Sequence, residues 1–198
     1  MADQEERNLN PEESLRLIRE TIDLAKNRVR ENGFQFLLWG WLVVIASLAN
    51  YWLVTLGFAY GKANLVWMVM PVVGVPASLI YERFKGRRYR DNNIVSKWYG
   101  LVWLGFAFAL GLSLVLAVRM NVSPIPLILI LAGFSTYLSG ILLRFNALIA
   151  GGVVLWIGAA VCIYLPWEIH VLVQAGAIVL GYLVPGYLMN AQVRKAHA

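Results

Sequence analysis

The sequence predicts an all-α fold: a polytopic membrane bundle of six transmembrane helices, preceded by a cytosolic amphipathic helix. Three observations predict it: six long apolar runs, no acidic or basic side chain in their central two turns, and a one-sided placement of cations between them. A helix needs about 20 apolar residues to cross ~30 Å of hydrocarbon. Phe34–Leu56, Ala63–Tyr81, Trp98–Val118, Ser123–Leu143, Phe145–Leu165 and Ile169–Met189 meet that need. Backbone groups in lipid must find partners within their own segment, which makes these runs helices and not strands. A soluble protein of 198 residues buries one or two such helices, not six in series.

The cations orient the bundle. Of 17 lysines and arginines, only Lys62 and Arg119 fall on one side of the runs. The other fifteen occupy the first 33 residues, the connection from Glu82 to Lys97, Arg144 and the tail. Positive charge in short loops marks the cytosolic side, so both termini are expected in the cytosol. The predicted organisation is a cytosolic segment at 1–33, a membrane domain at 34–190 and a cytosolic tail at 191–198. Residues 1–33 are polar and the first apolar run is too long for an h-region, so no cleavable signal peptide is expected. The formal charge of +6 follows from the positive-inside loops and gives no reason to invoke nucleic acid.

The first element is a helix over residues 10–31. Asn10 suits the N-cap, Pro11 the first helical position, and Glu13 the acid of a capping box. Leu15, Ile18, Ile22, Ala25 and Val29 recur at spacings of three and four and draw an apolar seam along one side. Three roles suit the seam: lying on the membrane surface, pairing with a copy of itself or a partner, or docking beneath its own bundle. Residues 1–33 carry six cations and eight acids, which disfavours an anionic membrane surface. The connection from Glu82 to Lys97, with Arg87 and Arg88 near its middle, has six cations and two acids and offers a complementary face. Leu15, Ile18, Ile22, Val29, Arg87 and Arg88 are therefore the candidate cytosolic contacts.

The second run contains Pro71, Gly74 and Pro76, and the sixth contains Pro185 and Gly186. Proline removes a backbone donor and crowds the carbonyl one turn earlier, so helix breaks are expected at both places. Interrupted spans near mid-membrane are a pointer to a transport site. Asn50 and Gln174, in the half of the bundle away from the termini, are the polar residues placed to line a vestibule there; packing through interhelical hydrogen bonds is the alternative. Small residues four apart mark helix contacts: Ala132, Thr136 and Gly140; Gly105, Ala109 and Ser113; Ala177 and Gly181. Trp52, Trp67, Trp98, Tyr99, Tyr164 and Trp167 fall near run ends, where aromatic belts form. A Trp-and-Gly pattern recurs at Trp39-Gly40, Trp103-Leu104-Gly105 and Trp156-Ile157-Gly158, which suggests three helical hairpins.

Catalytic chemistry has few candidates. No ionisable residue lies at membrane depth, which argues against a carboxylate proton relay. Cys162 is the single cysteine, so neither an internal disulfide nor a cysteine cluster for metal is available. Glu168 and His170 are two positions apart at a helix start, a poor metal pair. No nucleophile triad, phosphate-binding loop or dinucleotide fingerprint occurs. No catalytic, cofactor or metal site is expected.

Six spans arranged as short hairpins after a charged cytosolic start resemble the layout of uncharacterised small bacterial inner-membrane proteins. More distantly, most of residues 34–190 look like the HdeD-like membrane proteins of acid stress, through architecture and glycine placement; the long helix at 10–31 departs from that pattern. The resemblance implies a bacterial inner membrane and carries over no functional residue. The expected role is non-enzymatic: a membrane component that assembles with copies of itself or with a protein partner through cytosolic contacts. The alternative is a channel or transporter for a neutral or passively moving solute.

Overall fold

A computed structural model describes residues 33–86 and 94–196 of the chain. Every regular element among them is helical. In order they are α1 (Gly33–Thr55), α2 (Tyr60–Ala63), α3 (Val66–Gly86), α4 (Ile94–Met120), α5 (Ile125–Leu143), α6 (Asn146–Cys162), a 3-10 turn (Trp167–Ile169), α7 (His170–Ile178), a π turn (Val179–Leu183) and α8 (Val184–Ala196). The last four run on as one rod. The predicted helix at 10–31, with Leu15, Ile18, Ile22 and Val29, lies outside the described residues, as do Arg87 and Arg88.

Five segments are long and apolar enough to cross a membrane: Gly33–Thr55, Gly61–Phe84, Lys97–Met120, Ile125–Leu143 and Trp167–Gln192. The fifth expected span, Phe145–Leu165, is shorter than the sequence suggests, because α6 closes at Cys162 after 17 residues. Ile163, Tyr164 and Leu165 instead donate to carbonyls three residues back, at 3.1, 3.1 and 3.4 Å. Pro166 follows, and a residue before proline is pushed out of helical geometry. At 1.5 Å per residue α6 is about 25 Å long, close to the lower limit for a span.

Three helices end by one device. Gly57, Asn121 and Arg144 all have positive φ, at 86°, 52° and 51°. After each, an N–H reaches five residues back: Phe58 to Leu53 (3.1 Å), Val122 to Ala117 (3.1 Å) and Phe145 to Gly140 (2.9 Å). This left-handed cap satisfies carbonyls that the helix end would otherwise leave bare. It also reverses the chain within two residues, Arg144 and Phe145, between α5 and α6.

The core lies among α1, α5, α6 and the rod of α7 and α8, built on Phe36, Leu129, Leu143, Leu148, Leu155 and Leu183. Long α3 and α4 are peripheral: α3 packs on α1, and α4 packs on α5. Only 11% of the most apolar window of each is buried, against 44% for α5 and 56% for the rod. The aromatic residues at the helix ends divide the same way. Trp52, Trp98, Tyr164 and Trp167 are exposed, whereas Trp67 and Tyr99 pack partly on the core.

Glycines set the closest approaches. A Cβ on Gly152 would stand 2.7 Å from the Gly133 carbonyl oxygen, so α5 and α6 touch backbone to backbone. Trp156 closes the same seam, its Nε1–H donating to the Ile130 carbonyl at 3.1 Å. On the other side of α6, a Cβ on Gly151 would lie 2.3 Å from the Gly181 oxygen. Gly181 belongs to the π turn and stands four residues before Pro185, which has no N–H to offer its carbonyl. The widened turn and the freed carbonyl thus sit where α6 comes nearest.

Candidate functional site

Both prolines of the second run point outward. Pro71 and Pro76 are exposed, while Gly74 between them is buried. Its missing side chain leaves room for Trp39 and Leu42 of α1, which a Cβ would meet at 2.9 and 3.0 Å. The helix runs through both prolines without interruption. Each proline lacks its own N–H and crowds the carbonyl one turn earlier, but an outward ring presses on no neighbouring helix, and the helix carries on. At the second expected break the helix does change, from α to π, just before Pro185. Pro185 and Gly186 are both buried, and Gly186 lies against Phe36 and Leu37 of α1. The helices that carry these prolines are therefore both packed on α1.

Buried polar side chains fall into two groups. In the first, hydroxyls are satisfied by their own helix: Thr136 bonds to Ala132 O (2.7 Å), Ser139 to Ser135 O (2.7 Å) and Ser113 to Leu110 O (2.9 Å). Such back-bonding neutralises a hydroxyl without a neighbour. In the second group, Ser47 Oγ, His170 Nδ1 and Gln174 Oε1 are buried and meet no protein hydrogen-bond partner. Trp103 Nε1 is in the same condition nearer the termini. Their parent residues Ser47, His170 and Gln174 are 0%, 7% and 2% exposed.

Helix register brings this second group to one depth. Gly33 meets Gly186 and Asn190, and Gly40 meets Tyr182 and Leu183, so α1 and the final rod run antiparallel. Two further turns along α1 lead to Ser47, and the matching steps back along the rod lead to the neighbourhood of Gln174. His170 lies one turn beyond on the same face, and α1 packs directly on α7. Helix α4 meets α1 nearer the termini. Trp103 stacks edge-on against Phe36 with ring centroids 5.9 Å apart, and Ser113 and Ser47 stand about three turns farther along their respective helices. The result is a polar layer in the half of the bundle that carries the 56–65 and 163–169 turns.

The ends of this layer differ. Toward the termini it meets a cluster of rings: Phe36 with Tyr182 (5.3 Å), Phe36 with Trp103 (5.9 Å) and Trp103 with Tyr182 (6.2 Å). Toward the turn end, Asn50 Nδ2 donates to Asn64 Oδ1 at 3.0 Å. Helix α2 is folded in beside that bond, its Ala63 fully buried. His170 Nε2 lies 3.0 Å from the Leu165 carbonyl, tying the start of α7 to the preceding turn. The neighbouring Glu168 carboxylate instead accepts from Trp167 Nε1 at the surface.

Of the residues singled out in the sequence, Asn50 and Gln174 thus share this half of the bundle, while Pro71 and Pro76 do not enter it. Ser47 and His170 belong beside them. Their signal in the sequence is spacing: Ser47 with Asn50, and His170 with Gln174, each share a helix face. Among the described residues no three His, Cys, Asp or Glu side chains gather closely enough to hold a metal ion. No protein-family model, curated protein or solved structure matches the chain.

Proposed function

We propose that the chain is a non-enzymatic, six-span protein of a bacterial inner membrane that acts as an assembly component. Both termini lie in the cytosol, and copies associate through the lipid-facing surfaces of α3 and α4. The helix at 10–31 and the basic connection at 82–97 add cytosolic contacts with another copy or a protein partner. The observation that carries this reading is the outward placement of Pro71 and Pro76 on a helix so little covered by its own chain. Each proline deprives a carbonyl four residues earlier of its helical donor. In hydrocarbon such a group is best covered by another protein surface. Helix α4 adds Gly100, Gly105 and Gly111, around which a Cβ would meet nothing within 4 Å, and small residues allow helices in lipid to approach closely.

Cysteine cross-linking in native membranes tests the reading. Leu112 and Val72 are exposed, whereas the natural Cys162 is buried. Leu112→Cys or Val72→Cys is expected to form dimers on mild oxidation. Absence of cross-linking at both positions, with a monomeric mass in lipid nanodiscs, refutes assembly through these faces. Deleting residues 1–31 tests the cytosolic helix; unchanged oligomeric state and unchanged partner recovery count against its role.

The polar layer favours a second reading, a path for a neutral solute. A through-path requires the Phe36, Trp103 and Tyr182 rings to part. Flux of a neutral solute in proteoliposomes that rises on Trp103→Ala supports it, and no flux in either protein sinks it.

A further inference from the structure

We propose that Ser47, His170 and Gln174 form a blind-ended binding site for a small uncharged molecule carrying at least two N–H or O–H donors, entered from the turn end of the bundle. The site goes beyond assembly through α3 and α4 and stands whether or not that occurs.

The chemistry follows from what each orphaned atom offers. His170 Nε2 faces the Leu165 carbonyl at 3.0 Å. A carbonyl only accepts, so that nitrogen carries the proton of the neutral ring, an assignment made from the bond. Nδ1 is then an acceptor. Gln174 Oε1 is an acceptor as well, and two acceptors cannot satisfy each other. The Ser47 hydroxyl has one proton to give. The three atoms are thus short of donors, the N–H groups of the Gln174 amide lying on its other end, and all three are buried without a protein partner. A molecule that donates to Nδ1 and Oε1 while accepting from Ser47 Oγ completes the set. A buried acceptor left unsatisfied has lost its hydration with nothing in return, so filling two of them at once is a substantial driving force.

Charge and space narrow the class. The described acids, Glu82 and Glu168, are both exposed, so the layer has no carboxylate to hold a dehydrated cation. It offers no cationic group to an anion either. The ring cluster of Phe36, Trp103 and Tyr182 closes the far side. Entry is therefore from the end where Asn50 bonds to Asn64. Water and urea-like amides share the required chemistry, and the test separates them.

The full chain carrying His197→Gln, labelled with nitrogen-15 at histidine and placed in lipid bilayers, leaves His170 as the one reporter. Urea is expected to move the Nδ1 resonance saturably. Tetramethylurea, which has no N–H, is expected to leave it unmoved. Ser47→Ala should raise the half-saturating urea concentration at least fivefold, whereas Ser113→Ala, whose hydroxyl is already bonded, should not change it. If Nδ1 receives magnetisation from water and urea has no effect, the site stands and its occupant is water. No transfer from water together with no urea response overturns the proposal. An equal response to tetramethylurea, or an unchanged response in Ser47→Ala, does so too.

Discussion

Gly151→Ala is the most informative single-methyl change in the bundle. The added Cβ would stand 2.3 Å from the Gly181 oxygen and 3.1 Å from both the Gly181 carbonyl carbon and Pro185 Cγ. Carbon and oxygen in helix contacts settle at about 3.3 Å or more, so α6 and the final rod must part by about 1 Å. Neither side yields cheaply. The obstacle is main chain, and the neighbouring proline is buried. Overpacking of a fixed contact costs about 1–3 kcal/mol. A gap of about 1 Å along the rest of the interface also forfeits a quarter to a half of its dispersion energy. A loss of about 3 kcal/mol is therefore expected. Gly176→Ala is the matched control, since a Cβ there meets nothing within 4 Å. It should stabilise by about 0.5–1 kcal/mol through helix propensity alone. Unfolding in mixed micelles, followed by tryptophan fluorescence and circular dichroism, gives both values. A Gly151→Ala protein within about 0.5 kcal/mol of the parent, or equal losses at both positions, refutes the backbone-contact argument.

Other expectations use the same unfolding measurement. Trp156→Phe removes the Nε1–H donated to the Ile130 carbonyl while leaving a ring beside Tyr137, and should cost about 1 kcal/mol; a neutral result means the bond does not stabilise the α5–α6 seam. Asn50→Leu and Asn64→Leu, singly and together, should show a coupling of about 0.6 kcal/mol for their 3.0 Å bond, and zero coupling removes that bond from the account of how α2 is held. Arg144→Gly should stabilise by about 1 kcal/mol, because Arg144 holds a left-handed φ of 51° that costs other residues more than glycine. Asn121→Gly should gain less, since asparagine tolerates its φ of 52° better than arginine does.

The apolar runs made the helical, membrane-crossing character legible, because run length and the absence of central charge report directly on the solvent around a helix. Boundaries were less legible. The shortening of α6 depends on a turn that Ile163 and Tyr164, both good helix-compatible residues, do not announce. Two of the three left-handed caps carry residues suited to them, Gly57 and Asn121; the third falls on Arg144, where the one-residue spacing between runs was the only signal. The small-residue ladders separated by environment. Ala132, Thr136 and Gly140 are all buried, whereas Gly105 is exposed and Ser113 buried on the same helix. The three Trp-and-Gly repeats likewise diverge: Gly40 meets Leu183, Gly158 meets Ala177, and Gly105 meets nothing. Proline is the clearest case of a residue whose effect depends on facing. Pro71 and Pro76, exposed, leave α3 intact, while buried Pro185 follows a π turn. Sequence spacing gives a proline's position along a helix, but its direction is set by which neighbours the rest of the fold supplies.

Helix α1 links the two regions to which function is assigned. Trp39 and Leu42 seat Gly74 of α3, and Gly40 between them seats Leu183 of the final rod. Two further ties of α3 also lead to α1: Ser78 Oγ bonds to Gln35 Oε1 at 2.9 Å, and Tyr81 stacks on Phe34 with centroids 4.1 Å apart. All of these lie in the half of α1 nearer residue 33, whereas Ser47 and Asn50 occupy the other half. The helix thus holds the proposed assembly surface through one half and walls the polar layer through the other. Substitutions at Gly74 should loosen α3 without reaching Ser47, and substitutions at Ser47 should alter ligand response without disturbing α3. Additivity of Gly74→Leu and Ser47→Ala in unfolding is the thermodynamic form of that separation, because sites without shared partners add within about 0.5 kcal/mol. A larger coupling means that α1 transmits strain along its length, and assembly and binding are then one property of the bundle.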